Sequence, residues 1–236
     1  MPILNLPEVT TITVDDRSDG ETTAQLAAIT RWHRSLMKVG REVILSGARP
    51  DVDGIDWIKL EKWKADYKSC YSLWCQKEML NHFSTPFVMV WQLDGFAVNP
   101  QNWNQEFTEY DFVGSPFSSL RNTVGNGGFS LRSRLFCEKA SRLPDCGEVP
   151  EDVYFCICKR LDLQNKGVRF CPLSVANKWG FDLGTEEHSL SGRFGFHGKL
   201  ILPVVCQHMA SSLLISGARH FRESPSAVTI GPKCQV

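Results

Sequence analysis

The residues best suited to chemistry sit at the ends of apolar runs or among glycines. Val90-Trp91-Gln92-Leu93-Asp94-Gly95-Phe96 passes from apolar residues straight into a carboxylate and a glycine. A carboxylate so placed can hold a divalent cation that bridges a diphosphate, because hard cations such as Mg2+ and Mn2+ take oxygen ligands and keep positions open for phosphate oxygens and water. Gln92, two residues earlier on the same face of a strand, offers a neutral oxygen where a second carboxylate would bind more strongly. A lone strand-end Asp also serves structure, so Asp94 alone leaves both roles open. His197, between glycines in Arg193-Phe194-Gly195-Phe196-His197-Gly198, has room to reach a ligand. Histidines among aromatics are more commonly packed and hydrogen-bonded, and only pairing with Asp94 would favour metal binding.

Gly125-Asn126-Gly127-Gly128 crowd one turn, after which Phe129 and Leu131 alternate with Ser130 and Arg132 as a short strand does. Glycine lets backbone pass close to a bound ligand with no Cβ in the way. A glycine-rich hairpin turn accounts for the stretch equally well. Pro150-Glu151-Asp152 places an acidic pair at a helix start, where the macrodipole alone favours acids. A carboxylate there, facing a glycine-lined cleft, is also suited to take the proton of an attacking hydroxyl. Asp15-Asp16 close an apolar strand, a position suited to a ribose or base contact and equally to a turn or cap acid.

The elements that must carry these residues follow from periodicity. Val9–Val14 has the composition of a buried strand, and Glu21–Val39 carries Leu26, Ile29, Trp32, Leu36 and Val39 on a helical period ended by Gly40. Glu42–Leu45 and Trp57–Leu60 read as strands, and Tyr67–Phe83 as a second long helix. Phe87–Trp91 is an uninterrupted apolar strand of the kind found at the centre of a parallel sheet covered on both faces. Phe112–Gly114, a helix from Ser133 to Leu143, a helix from Pro150 to Lys166 and a strand Val168–Cys171 follow. Alternating strands and helices predict an α/β layered domain with a mostly parallel central sheet flanked by helices.

The 236 residues suit one domain spanning 1–236. Acidic and basic residues balance at 26 each, so no net field draws the chain to nucleic acid or an anionic membrane. No apolar run approaches the roughly 20 residues of a membrane span. The nine cysteines, odd in number and scattered, read as reduced and mostly buried thiols. These features lead us to expect a soluble, cytoplasmic protein.

Taken in order, Gln92-x-Asp94-Gly95, Gly125-Asn126-Gly127-Gly128-Phe129-Ser130-Leu131-Arg132-Ser133, Pro150-Glu151-Asp152 and Phe194-Gly195-Phe196-His197-Gly198 resemble glycosyltransferases of the Rossmann-like GT-A fold. The chain is most similar to a bacterial and fungal family called domain of unknown function 5672, whose pattern the opening Leu6-Pro7-Glu8-Val9-Thr10 also fits, and it is more distantly similar to galactosyltransferase families. The likeness runs from about residue 6 to 200 and leaves 201–236 as an extension without an assigned role. It implies a nucleoside-diphosphate sugar donor, a uridine diphosphate sugar first, with Asp15, Asp16, Gln92, Asn126, Gly127, Gly128 and Arg132 as donor-binding residues. It further implies Mn2+ or Mg2+ on Asp94 and His197, and Asp152, with Glu151 beside it, as the base of an inverting enzyme. Gln92 departs from the pattern, standing where the motif's first acid belongs.

The expected function is therefore transfer of a sugar to a hydroxyl of a glycan or small molecule. A non-catalytic sugar-nucleotide or glycan-binding module with the same pocket is the rival, separable by donor hydrolysis with Mn2+. A nucleotidyltransferase ranks last, because the chain shows no glycine-rich, basic phosphate loop near its N-terminus to support it. Arg121, Arg132, Arg134 and Arg142 would form a basic strip suited to hydroxylated bases in nucleic acid, which the neutral balance disfavours.

Overall fold

The computed structural model describes residues 3–64, 66–117, 123–181, 190–199 and 205. The chain divides into two compact units, Met1–Leu202 and Pro203–Val236. Every element named below belongs to the first unit. Arg121 and the extension from 201 onward, apart from Val205, lie outside the described residues.

The main sheet has six strands in the order β3-β2-β1-β4-β7-β6: β1 (Leu4–Asp15), β2 (Met37–Ser46), β3 (Asp56–Lys59), β4 (Phe87–Val90), β6 (Phe112–Gly114) and β7 (Ser130–Ser133). β1 pairs parallel with both β2 and β4, and β2 parallel with β3, whereas β7 runs antiparallel to β4 and β6. The fold is α/β with a mixed, mostly parallel sheet, as the alternating pattern predicts. The chain builds outward from β1 in one direction through β2 and β3, then returns to place β4 on its other side. That reversal makes the carboxyl ends of β1 and β4 a topological switch point, the usual ligand position in open α/β sheets. Two short strands, β5 (Gly95–Ala97) and β8 (Gly195–His197), form a separate antiparallel pair.

β4 is uninterruptedly apolar because both its faces are covered. Val88 and Val90 pack in the core with Tyr71 and Trp74 of α2 (Tyr67–Lys77) and Phe136 of α3 (Arg134–Ser141). On the opposite face Trp91 meets His33 of α1 (Gly20–Leu36) edge to face at 5.4 Å, and Trp32 donates its indole N–H to the Ala97 carbonyl at 3.0 Å. Burying each such Val or aromatic side chain contributes about 1.5–3 kcal/mol. Burial in apolar surroundings pulls His33 down to about 3, so it packs as a neutral ring.

Several expected boundaries move. The first helix ends at Leu36 rather than Val39, because Met37–Val39 already pair with Leu4–Leu6 of β1. Gly40 is thus no helix stop. It lies inside β2 beside a register shift between Leu6 and Thr10, where a Cβ would collide with the Pro7 carbonyl. The helix expected over Tyr67–Phe83 stops at Lys77 and continues as a 3-10 turn, Met79–His82. The helix expected over Pro150–Lys166 is broken into α4 (Glu151–Val153), a π turn (Tyr154–Cys158) and α5 (Arg160–Asn165), with the Lys159 N–H bonding the Tyr154 carbonyl at 2.8 Å. In place of a strand over Val168–Cys171 there is one bridge, Phe112 to Phe170, followed by α6 (Leu173–Trp179). The seven described cysteines are free thiols, five of them buried. Among the described residues no helix is long and apolar enough to cross a membrane.

Candidate functional site

Strand direction brings the chemistry-bearing stretches together. β1 and β4 run parallel with Ile12 opposite Val90, so Asp15-Asp16 and Gln92-Leu93-Asp94 leave the sheet at the same edge. β7 runs the other way with Ser130 opposite Val90, so the glycine loop that precedes it enters at that edge too. Asp94 and Gly127 therefore share the carboxyl edge of the sheet.

β5 begins immediately after Asp94, and its pairing with β8 sets Gly95 opposite His197. His197 Nε2 then lies 3.3 Å from Gln92 Oε1 and 3.9 Å from Asp94 Oδ1. Donors about 2.1 Å from one ion stand roughly 3.0 Å apart at right angles and 4.2 Å apart when opposed, so these separations suit one divalent cation. An imidazole nitrogen, a carboxylate oxygen and an amide oxygen also match the preferences of Mn2+ better than those of a thiolate-seeking metal. Among the described residues no cluster of three or more His, Cys, Asp or Glu side chains forms a metal site, and the neutral Gln92 stands beside His197 of the Asp94–His197 pair.

The glycine loop lies between this cluster and the acidic pair. A Cβ on Gly128 would fall on the His197 imidazole and 2.7 Å from Gln92 Oε1, and one on Gly127 would press on Glu151 Oε1 and stand 2.8 Å from Arg132 Nη2. Close approach on both flanks, rather than turn geometry alone, requires these glycines. Asn126 shapes the loop from within, since it is buried and its Oδ1 accepts the Gly128 N–H at 3.1 Å. Trp179 supports the loop from behind: its ring stacks on Phe129 at 4.7 Å and its indole N–H donates to the Phe129 carbonyl at 2.8 Å. Nothing in its local sequence marks Trp179 for this role.

On the second flank the two acids have different fates. Glu151 is 5% exposed and Arg132 0%, and they form an ion pair at 2.6 Å. The Glu151 backbone N–H donates to Ser72 Oγ of α2 at 3.1 Å. Burial works against the Arg132 charge, but the adjoining Glu151 carboxylate outweighs it and holds the guanidinium pKa above its ordinary value. Glu151 is consumed by this contact and is not placed as a base, and Arg132 lies beneath the loop rather than on it. Of the candidate basic strip, Arg132 is buried, Arg134 donates to the Phe83 carbonyl at 2.8 Å and pairs with Glu138, and Arg142 is exposed.

Asp152 is partly exposed. Its Oδ2 accepts the Gly127 N–H at 3.0 Å and its Oδ1 the Val153 N–H at 2.8 Å, which leaves each oxygen one further lone pair. Burial first, and the neighbouring Glu151 charge second, push its carboxyl up to about 6, the range of a base working near neutral pH. At the end of β1, Asp15 accepts both Arg17 Nε at 2.8 Å and Arg17 Nη2 at 2.5 Å, and Asp16 accepts the Trp63 backbone N–H at 3.2 Å. Arg17, absent from the sequence-based candidates, is the partner that occupies Asp15.

Comparison with solved structures finds similarity to the galactosyltransferase LgtC in complex with donor and acceptor sugar analogues, at 10% identity and a TM-score of 0.41, covering 86% of this chain and 95% of that one. An active-site mutant of LgtC gives 10% identity, a TM-score of 0.40 and the same coverage. Comparison with curated proteins finds no match. The family model described as protein of unknown function, DUF5672, matches residues 57–197, more than half of the chain and every site segment from Gln92 to His197, so the chain belongs to that family.

Proposed function

We propose that the protein is a GT-A-like, metal-dependent glycosyltransferase that moves a sugar from a nucleoside diphosphate, uridine diphosphate first, to a hydroxyl of a glycan or small molecule with inversion. One observation carries this reading: a glycine-lined loop at the carboxyl edge of the sheet has a cation-suited His197–Gln92–Asp94 cluster on one flank and a base-suited carboxylate, Asp152, on the other. Two flanks of opposite chemical demand match a reaction in which one end of the substrate releases a diphosphate and the other loses a proton.

Gln92, Asp94 and His197 would hold Mn2+ or Mg2+, which supplies positive charge for the diphosphate oxygens as the leaving group gains electrons. Gly127 and Gly128 let the loop pack against both flanks, so that the donor would bridge the cation cluster and Asp152. Asp152 takes the proton of the acceptor hydroxyl while the hydroxyl oxygen forms its bond to the anomeric carbon. The bond from that carbon to the diphosphate oxygen breaks, its electron pair leaving with the diphosphate. Ionised Asp152 is needed at the outset, so its raised pKa places the acidic limb of the rate profile near pH 6.

The neutral Gln92 favours a second reading, a donor-binding module without turnover, because an amide holds a cation less firmly than a carboxylate. Incubation with a panel of nucleotide sugars and hydroxyl acceptors in Mn2+ separates the two. Release of nucleoside diphosphate coupled to a new glycoside of inverted configuration supports transfer. Binding without release supports the module, and retained configuration contradicts the role given to Asp152.

A further inference from the structure

The Gly127 peptide is held at both ends. Its N–H donates to Asp152 Oδ2 at 3.0 Å, and its carbonyl accepts Arg132 Nη2 at 3.1 Å and Ser130 Oγ at 2.9 Å. The same Nη2 binds Glu151 Oε1, and Glu151 directly precedes Asp152 in α4. The contacts close a ring from Arg132 through Glu151, Asp152 and Gly127 back to Arg132. The ring is anchored on two elements, since Arg132 Nε donates to Ser130 Oγ at 3.0 Å in β7 and Glu151 N donates to Ser72 Oγ in α2. A buried ion pair often adds little net stability compared with apolar residues of similar volume. Stability alone therefore gives little reason for a fully buried arginine here.

We propose that Arg132 and Glu151 are a positioning pair for Asp152: they fix the Gly127 peptide that orients its carboxylate and set the charge it faces, without touching substrate. This rests on the reading of Asp152 as the base. The groups facing it are few. Glu151 adjoins it on α4, Arg132 reaches it from β7, and Cys156 faces it from the π turn, while Tyr71 and Cys75 of α2 face the pair itself. Burial pushes Cys156, Tyr71 and Cys75 up, so all three stay neutral at neutral pH. Among the described residues the two charges of the pair are then the charges Asp152 meets, and removing them singly must act in opposite senses. E151Q removes a like charge and lowers the pH at which Asp152 ionises; R132M removes an opposite charge and raises it.

The test is a pH titration of the Asp152 carboxyl by carbon NMR on aspartate-labelled protein, assigned with D152N, in wild type, E151Q, R132M, R132K and the neutral double variant R132M/E151Q. We expect a midpoint about one pH unit lower in E151Q and about half a unit higher in R132M, with R132K returning toward wild type. The double variant, which leaves no unpaired buried charge, covers failure of either single variant to fold. Its midpoint is expected about half a unit below wild type, because the closer charge, Glu151, is lost while burial remains. Shifts of the same sign in both single variants, or a double variant at the wild-type midpoint, would overturn the proposal. Titration is read without turnover, so opposite shifts in a protein that transfers no sugar would sustain the positioning pair and refute the base.

Discussion

Asp152→Asn tests the raised proton affinity through stability as well as rate. The carboxyl titrates at about 6 in the folded chain against 3.8 for an unperturbed aspartate. A group raised in the folded state contributes stability that is fully present below the unfolded value and is lost as pH rises through the folded one. Two units correspond to about 3 kcal/mol in all, of which about 2 kcal/mol is lost between pH 4 and pH 8. An asparagine side chain does not titrate and escapes that loss. It offers one carbonyl oxygen where the carboxylate accepts from both Gly127 and Val153, which costs about 1 kcal/mol at every pH. The variant should therefore start slightly less stable than wild type at pH 4 and end about 2 kcal/mol more stable at pH 8. Urea unfolding of both proteins in parallel across that range isolates the effect, because all other titrating groups cancel in the difference. Sugar transfer by the variant should fall by about two to four orders of magnitude with donor binding retained. A stability difference that does not change with pH would refute the burial and charge argument, whatever the rate.

Gly128→Ala sets a methyl group on the His197 imidazole and should weaken Mn2+-dependent binding of uridine diphosphate by about tenfold or more while far-UV circular dichroism stays unchanged. Gln92→Asp supplies the missing carboxylate, so calorimetry should show Mn2+ binding about tenfold tighter. Gly40→Ala drives a Cβ into the Pro7 carbonyl between β1 and β2, and urea unfolding should show a loss of about 1–3 kcal/mol with ligand binding intact. Ser133→Ala removes both the cap of α3 at Phe136 N and the hydrogen bond to Asp111, and should cost about 1–2 kcal/mol in the same assay.

The central strand was legible because Phe87–Val90 is buried on both faces, and double burial leaves an unbroken apolar run. The glycine loop and the strand-end Asp94 were legible for a related reason, since their residue types are what the switch-point edge demands. The Asp94–His197 approach was legible only through the family resemblance, because it depends on β5 pairing with β8 far along the chain, and pairing of such short strands leaves no local pattern. The choice of Asp152 over Glu151 likewise came from the resemblance: adjacent helical residues diverge by about 100°, and which of them turns inward is set by Arg132 on another element. Gly40 misled because a glycine that ends a helical period and a glycine that relieves crowding between strands look alike in sequence.

The account stands most directly on one titration: uridine diphosphate into the protein by calorimetry, with and without Mn2+, for wild type, Asp94→Ala and His197→Ala. Binding that requires Mn2+ in the wild type and weakens by about tenfold or more in each variant is the predicted result. Binding that is indifferent to Mn2+, or that survives both substitutions unchanged, would contradict a cation-bridged nucleotide at the β4 edge and with it the proposed transfer.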